Sequence, residues 1–493
     1  MIAFNDSMNT SRLAVSSLPL LLGLQLICPA PSAAAAELDA SERTTLEHIR
    51  DTALQSDWGY QRLADLADVV GPRLSGSAGA EAAVEQVSLA LRSAGVSVKL
   101  DPVKVPHWVR GEEQGQLIAY AGKPAGVSQK IILTALGGSP ATPSAGLEAQ
   151  VIVVKDFDEL ERRRDEVKGR IVLFNEAFDH HLAVNGYSGN AYGAAGVYRW
   201  HGPSKAAQLG AAAVLVRSLG SADFRLPHTG NTNYDEGVKP VPCAAVSVED
   251  ALLMERLSRR GAPVVMRLTL TPRTLPDVDS HNVIADIEGS DPNAGLVIIS
   301  GHLDSWDLGT GAMDDGIGVT SAMAAVQIIQ QLGLKPRRTI RFVGWMNEEN
   351  GLRGAAAYAH DHQGELGRHV AAIESDFGIG APLGITTNAG GGALNHLKML
   401  SPILEPIGAN VVEAKAQGMG SDLDGIQHAG VPIYEPLVDG RQYFDYHHTA
   451  ADTFDKVDPK AYQKQVAVMA VLVYFLADSQ PALPRELLPF DGQ

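Results

Sequence analysis

Apolar residues recur at helical spacing in three early stretches, 42–53, 58–70 and 79–94, and each predicts a helix with one buried face. Gly71-Pro72 separates the second from the third. Residues 96–105 change period: Val and Leu largely alternate with polar residues, the pattern of a half-buried strand. From 130 to 274 the apolar runs are short and β-rich (131–133, 151–154, 171–174, 214–216, 264–270), divided by Gly, Pro and Asp turns, with few long helical stretches. From 280 onward the two periods alternate. Strands are predicted at 296–300, 339–345, 370–375 and 432–436, and helices at 317–332, 354–362, 393–407 and 461–477. Such alternation calls for an α/β sheet with helices on both faces. In open sheets of this kind, ligands bind beyond the carboxyl ends of the strands.

A chain of 493 residues has room for two domains, and 45% hydrophobic with 20% charged residues is ordinary for a soluble globular protein. The formal charge of −17 argues against nucleic acid as a partner, because phosphate binding needs a basic footprint. The first 36 residues have a separate character. Arg12 precedes a largely apolar stretch, 13–27, and Ala34-Ala35-Ala36 offers a small-residue cleavage site, the layout of a secretory signal peptide. An apolar stretch of about 15 residues is too short to span a bilayer comfortably. The expectation is an exported protein, periplasmic or secreted, with no stable membrane anchor after processing. Removing that segment leaves one cysteine, Cys243, so no internal disulfide is possible. Any metal must be held by histidine and carboxylate groups.

Five segments carry such groups. Gly301-His302-Leu303-Asp304 follows the apolar run 296–300, and in extended chain His302 and Asp304 share a face. A carboxylate there can hold the far imidazole nitrogen and leave the near one for a metal. Gly311-Ala312-Met313-Asp314-Asp315-Gly316 is a glycine-rich turn into a helix; one aspartate suits an N-cap, two ask for more. Trp345-Met346-Asn347-Glu348-Glu349, Glu374-Ser375-Asp376 and Tyr446-His447-His448 complete the set. Singly, each has an ordinary surface explanation. In order, they bring His, Asp, Glu, Asp and His to successive strand ends of one sheet. Zinc takes imidazole and carboxylate ligands, and two-metal hydrolases share a carboxylate between ions.

That ordered set resembles the co-catalytic dizinc exopeptidases, a metallopeptidase family of aminopeptidases and carboxypeptidases with a mixed eight-stranded sheet. Segments 71–77 and 105–111 share the likeness, which spans nearly the whole mature chain. Residues 167–173 and 206–214 resemble the two halves of a protease-associated domain. The fold implied is an α/β peptidase domain with a mixed β-sheet, formed by 37–129 and 275–493, with a β-rich insertion at 130–274. The resemblance implies two zinc ions bridged by Asp314, with His302 and Asp376 completing one site and Glu349 and His448 the other. It implies Asp304 as the group orienting His302, Glu348 as general base, and a cis peptide between Asp314 and Asp315. Where related peptidases carry an oxyanion-donating tyrosine before the last histidine, this chain has His447, with Tyr446 one step earlier; either could serve. Ser421 lies in a loop that lines the substrate cleft in the family, and Arg441 and Tyr443 are candidates to hold a substrate carboxylate. The function implied is hydrolysis of terminal peptide bonds in short peptides, dipeptides with free termini in particular, by a homodimer. A broad aminopeptidase of the same family is the alternative. A non-catalytic receptor-like protein would have lost ligands that are all present here, and a one-zinc glutaminyl cyclase would lack both the bridging set and the insertion.

Overall fold

The computed structural model describes residues 38–378 and 380–489, so the signal segment expected at 1–36 lies outside the described residues. The core of the fold starts at Leu296–His302, a strand whose every residue is buried. Its alternate side chains feed two different cores. Val297 and Ile299 pack with Ile317, Met469 and Leu472 on one face, while Leu296 and Ile298 pack with Trp345, Tyr358 and Leu423 on the other. Burying each such side chain is worth about 1.5–3 kcal/mol, which explains an unbroken apolar run where a one-sided strand would alternate.

This strand is inside an eight-stranded mixed sheet, ordered Ser97–Val109, Arg273–Ile287, Thr339–Trp345, Leu296–His302, His369–Glu374, Ile433–Val438, Pro382–Thr387, Val411–Ala414. The four inner strands, Thr339–Trp345 to Ile433–Val438, run parallel and therefore present their carboxyl ends on one side. Helices Ile317–Gln331 and Pro459–Asp478 contribute to the core on one face, and Arg353–Asp361 and Asp424–His428 to that on the other. No described helix is long and apolar enough to cross a membrane.

Two predicted helices depart from regular form. The stretch 58–70 is α-helical over Trp58–Ala64 and then widens into π-helical turns over Asp65–Val70. The stretch expected to be one helix at 393–407 is instead four short pieces between Gly391 and Ile407, interrupted where Pro402 and Pro406 cannot donate to the preceding turn.

A second eight-stranded sheet runs Gln129–Ile131, Glu113–Ala119, Val265–Leu270, Leu147–Val154, Ile171–Phe174, Ala213–Arg217, Cys243–Val246, Leu133–Ala135. It begins ahead of residue 130, because Glu113–Ala119 pairs antiparallel with Val265–Leu270. The chain passes into it at the far end of the Ser97–Val109 and Arg273–Ile287 pair, where Val109 faces Arg273. The segment also holds longer helices than its sequence texture predicts, Ser188–Trp200 and Val248–Ser258. Cys243 is a free, buried cysteine of this sheet.

Arg110 ties the two sheets together. Its guanidinium donates to both Asp307 oxygens at 2.7–2.9 Å, to Glu113 Oε1 at 2.8 Å, to Thr134 Oγ1 at 2.6 Å, to the Ala135 carbonyl at 2.7 Å and to Thr229 Oγ1 at 3.2 Å. Its side chain is only 12% exposed. Removing one partner from a buried charge network strands the rest, so Arg110→Met should lower the unfolding free energy by about 3–5 kcal/mol in equilibrium denaturation. Arg110→Lys should recover only part, since an ammonium lacks the planar fork. A loss below about 1 kcal/mol would mean that the network is no more than surface pairing.

Candidate metal centre

The predicted groups converge beyond the carboxyl ends of the parallel strands. His302 is the last residue of its strand and is in register with Trp345, whose strand leads into Glu348 and Glu349. Ser300 is in register with Glu374, two residues before Asp376. Onto these ends lies the loop bearing Asp314 and Asp315, which comes close because two neighbours are glycines. A Cβ at Gly301 would strike the Asp315 carboxylate and the Val319 N–H, and one at Gly318 would strike the Ser375 carbonyl.

The adjacent aspartates divide their work. Asp315 Oδ2 accepts from the His302 N–H at 3.0 Å and Oδ1 from the Gly318 N–H at 2.9 Å, so its carboxylate fastens the loop to the strand. Asp314, joined to it by a cis peptide, points the other way. Its Oδ1 is 3.1 Å from His302 Nε2, and its Oδ2 is 3.2 Å from His448 Nε2 and 3.4 Å from His447 Nε2. Asp376 Oδ1 is 3.4 Å from His302 Nε2, and Glu349 Oε2 is 3.0 Å from His448 Nε2. All five expected ligands therefore come together.

Both histidines are aimed from behind. His302 Nδ1 donates to the Asp304 carbonyl at 3.0 Å and His448 Nδ1 to the Thr229 carbonyl at 3.2 Å, which turns each Nε2 toward the carboxylates. Here the expectation for Asp304 is corrected. Its main-chain carbonyl, not its carboxylate, orients His302. The carboxylate oxygen Oδ1 instead accepts from the Asn347 and Glu348 N–H groups at 2.7 and 3.0 Å, fixing the turn that carries the expected base.

The electrostatics of the cluster are set by burial. Burial works against a charged His302, yet Asp314 and Asp376 hold it well above the usual histidine range. Burial likewise opposes ionisation of Asp314, but the imidazoles of His302, His448 and His447 outweigh it and keep the group well below the usual carboxylate range. Glu348 is pushed up to about 8 by burial and by the charges of Asp376, Glu349 and Asp314, and Glu349 to about 7 by burial and Asp314. Negative charge is in excess here.

A cation fits that excess. Donor atoms lie within 4.8 Å of one another in three sets: Asp314, His447 and His448; His302, Asp314 and Glu349; His302, Asp315 and Asp376. Asp314 belongs to two of them, and its buried Oδ2 receives no hydrogen bond. Imidazole with carboxylate, and no thiol, is a donor set that zinc accepts. Asp315 is the weaker ligand candidate of its set, because both its oxygens already serve N–H groups.

The remaining predicted residues separate into those that face the centre and those that do not. His447 faces it, stacked on His448 with ring centroids 3.6 Å apart. Tyr443 is buried, its ring against Phe377 at 4.6 Å and His447 at 5.0 Å. Tyr446 is half-buried against the main core. Ser421 is exposed. Arg441 is exposed and bound to both oxygens of Asp439.

Three supports were not legible as such. Arg73, fully buried, donates to the carbonyls of Leu303, Thr310 and Gly311, each at 2.7 Å. Asp452 accepts from the N–H groups of Met313 at 2.8 Å and Asp314 at 3.3 Å. Thr229, from the second sheet's side, also donates its N–H to the His448 carbonyl at 2.9 Å. Arg73 stands in the segment 71–77 that shares the family likeness and Asp452 four residues beyond His448, which was the only signal available for them; Thr229 had none.

Comparison with known proteins bears on the family and the fold. The sequence profile of Peptidase family M28 matches residues 282–473. Carboxypeptidase Q of Bos taurus is 39% identical over 427 residues, 86% of this chain and 86% of its own length. The crystal structure of a peptidase M28 precursor from Shewanella amazonensis SB2B has a TM-score of 0.85 and 36% identity, covering 92% of this chain and 100% of that one. A zinc aminopeptidase from Bacillus subtilis shares the fold at a TM-score of 0.63 and 19% identity, over 87% of this chain and 97% of that one.

Proposed function

The chain belongs to peptidase family M28 and is a zinc-dependent exopeptidase, and from that premise we propose that it is exported, carries two zinc ions and cleaves dipeptides whose two termini are free. The observation that carries the two-ion reading is Asp314, whose two oxygens reach toward different histidines, His302 and His448. His302, Asp376 and Asp314 would hold one ion; Glu349, His448 and Asp314 the other. When bound, the ions supply electrophilic charge that acidifies the attacking water and offsets the charge developing on the scissile carbonyl oxygen.

The chain's own groups do the rest. Glu348 takes the proton from the attacking water and returns it to the leaving amine. Asp304 keeps it in place through the Glu348 N–H. His447 is the better placed oxyanion donor, since it faces the cluster while Tyr446 packs toward the core. We read the second sheet as an inserted protease-associated domain. Thr229 and Tyr192 from that insertion meet His448 and His447, which supports a cleft walled on that side and suited to short substrates. Export rests on the signal-like segment at 1–36.

Glu348→Gln should retain the zinc content of the parent and lose about 10²–10⁴-fold in turnover, because a proton carrier goes while every ligand stays. A variant with near-parental turnover would move the base elsewhere. Substrate preference is checked by comparing a dipeptide, its amide, its N-acetyl form and an aminoacyl-anilide under one condition. The free dipeptide should be faster by about 10–100-fold, the worth of one charge-assisted hydrogen bond lost at either end. If the amide and the anilide are cleaved as fast as the free dipeptide, the enzyme is a plain aminopeptidase.

A further inference from the structure

The ligands of the two metal positions are held from different parts of the fold. His302 and Asp376 are fixed inside the main sheet. His302 is gripped by Asp315 at its N–H and by the Asp304 carbonyl at Nδ1, each at 3.0 Å. Ser375, the residue before Asp376, donates its N–H to the Ser300 carbonyl at 3.2 Å, and its hydroxyl accepts from Gln465 at 2.8 Å. All of these partners belong to the strands, loops and closing helix of the main sheet.

Glu349 and His448 are instead fixed across the seam with the second sheet. His448 has left-handed backbone, φ +61, a conformation that a histidine keeps only where its surroundings enforce it. Thr229 grips it twice: its N–H donates to the His448 carbonyl at 2.9 Å, and its own carbonyl accepts from Nδ1 at 3.2 Å. Glu349 Oε1 accepts from the Trp306 N–H at 3.1 Å. The Trp306 side chain is buried in the apolar cluster of the second sheet, with Leu133, Ala135 and Met266. The two grips form one unit. Gly137 lies so close to the indole that an added Cβ would strike it, and its N–H donates to the carbonyl of Gly230, next to Thr229, at 2.9 Å. Arg110 closes the back of that unit, binding both Asp307, beside Trp306, and the Thr229 hydroxyl.

Resting on the two-zinc reading above, we propose that Thr229 and Trp306 are positioning residues for one ion of the pair. The seating of the second sheet then governs the position formed by Glu349 and His448, and leaves that of His302 and Asp376 alone. Both residues act through a ligand: loosened, they free His448 and Glu349 to turn away from the Asp314 carboxylate and from each other. The hydrogen-bond partner of a metal ligand is commonly worth about 10–100-fold in metal affinity. Asp314 is common to both positions, but its loop is held by Asp315, Asp452 and Arg73, none of them in the second sheet. A shift of the second sheet therefore changes the metal pair by one ion rather than two.

The test is zinc binding. The parent, Thr229→Val, Thr229→Ser and Gly137→Ala are dialysed against a graded series of zinc buffers, the ions per chain are counted by elemental analysis, and the melting temperature is measured in zinc. In Thr229→Val and in Gly137→Ala, one ion should leave at about 10–100-fold higher free zinc, while the other leaves where it does in the parent. Thr229→Ser keeps the hydroxyl and should follow the parent. In His448→Ala, which removes that position's own ligand, the ion that remains should be indifferent to Thr229→Val. Where one of the two perturbing variants does not fold, the other carries the test. A parent that binds a single ion overturns the two-zinc reading, and this proposal with it. Two ions weakened equally, neither weakened, or a shift of the ion remaining in His448→Ala overturns Thr229 and Trp306 as positioning residues and leaves the seam a packing contact.

Discussion

Too much negative charge is buried in one place for this fold to be indifferent to cations. Asp304, Asp314, Asp315, Glu349 and Glu374 are all at most 7% exposed, with Glu348 and Asp376 beside them. Burial disfavours each ionised carboxylate, and their mutual repulsion disfavours them further. Glu374 and Asp422 are pushed well above the usual carboxylate range for this reason. The imidazoles of His302 and His448 offset part of the charge, and divalent ions at Asp314 would offset the rest. A protein tolerates such a cluster where the strain is useful, as at a site that must bind metal.

The architecture can be read as what is needed to hold that cluster rigid. Parallel strands deliver their carboxyl ends to one side, and the apolar residues that fix them are packed on both faces, so their ends have little freedom. The loop of Asp314 is then held by charged groups through main-chain N–H and carbonyl groups: Asp315 and Asp452 by accepting, Arg73 by donating to three carbonyls. The second sheet closes the arrangement. Arg110 anchors Thr229, and Thr229 aims His448. A segment that looks like an appendage in the sequence thus helps to orient a histidine of the cluster.

Most of the residues expected as ligands were legible because they follow an apolar strand or a glycine-rich turn, and both signals are local; His448 follows the short helix Tyr443–Tyr446 instead. Asp304 was misread for an equally local reason. Two-residue spacing puts His302 and Asp304 on one face only if the strand continues, but the strand ends at His302 and the chain turns, so a carbonyl rather than a carboxylate meets the ring. Arg441 has a carboxylate two residues away, Asp439, and composition gave no hint that the pair would close on itself in solvent. Thr229 could not be read from spacing. Thr229 meets His448 across 219 residues, and no periodicity carries that distance. The fold's central alternation was plain, whereas Glu113–Ala119 was missed because its polar residues hide a strand that is completed only by pairing with Val265–Leu270.

The claim on which everything else depends is that this cluster is built for two cations sharing Asp314. Elemental analysis of the purified chain, taken with hydrolysis before and after chelation, measures that claim without intermediaries. Close to two zinc ions per chain should be found, activity should vanish as they are withdrawn, and zinc added back should restore it. A preparation that hydrolyses peptides at full rate with no metal bound would contradict the account.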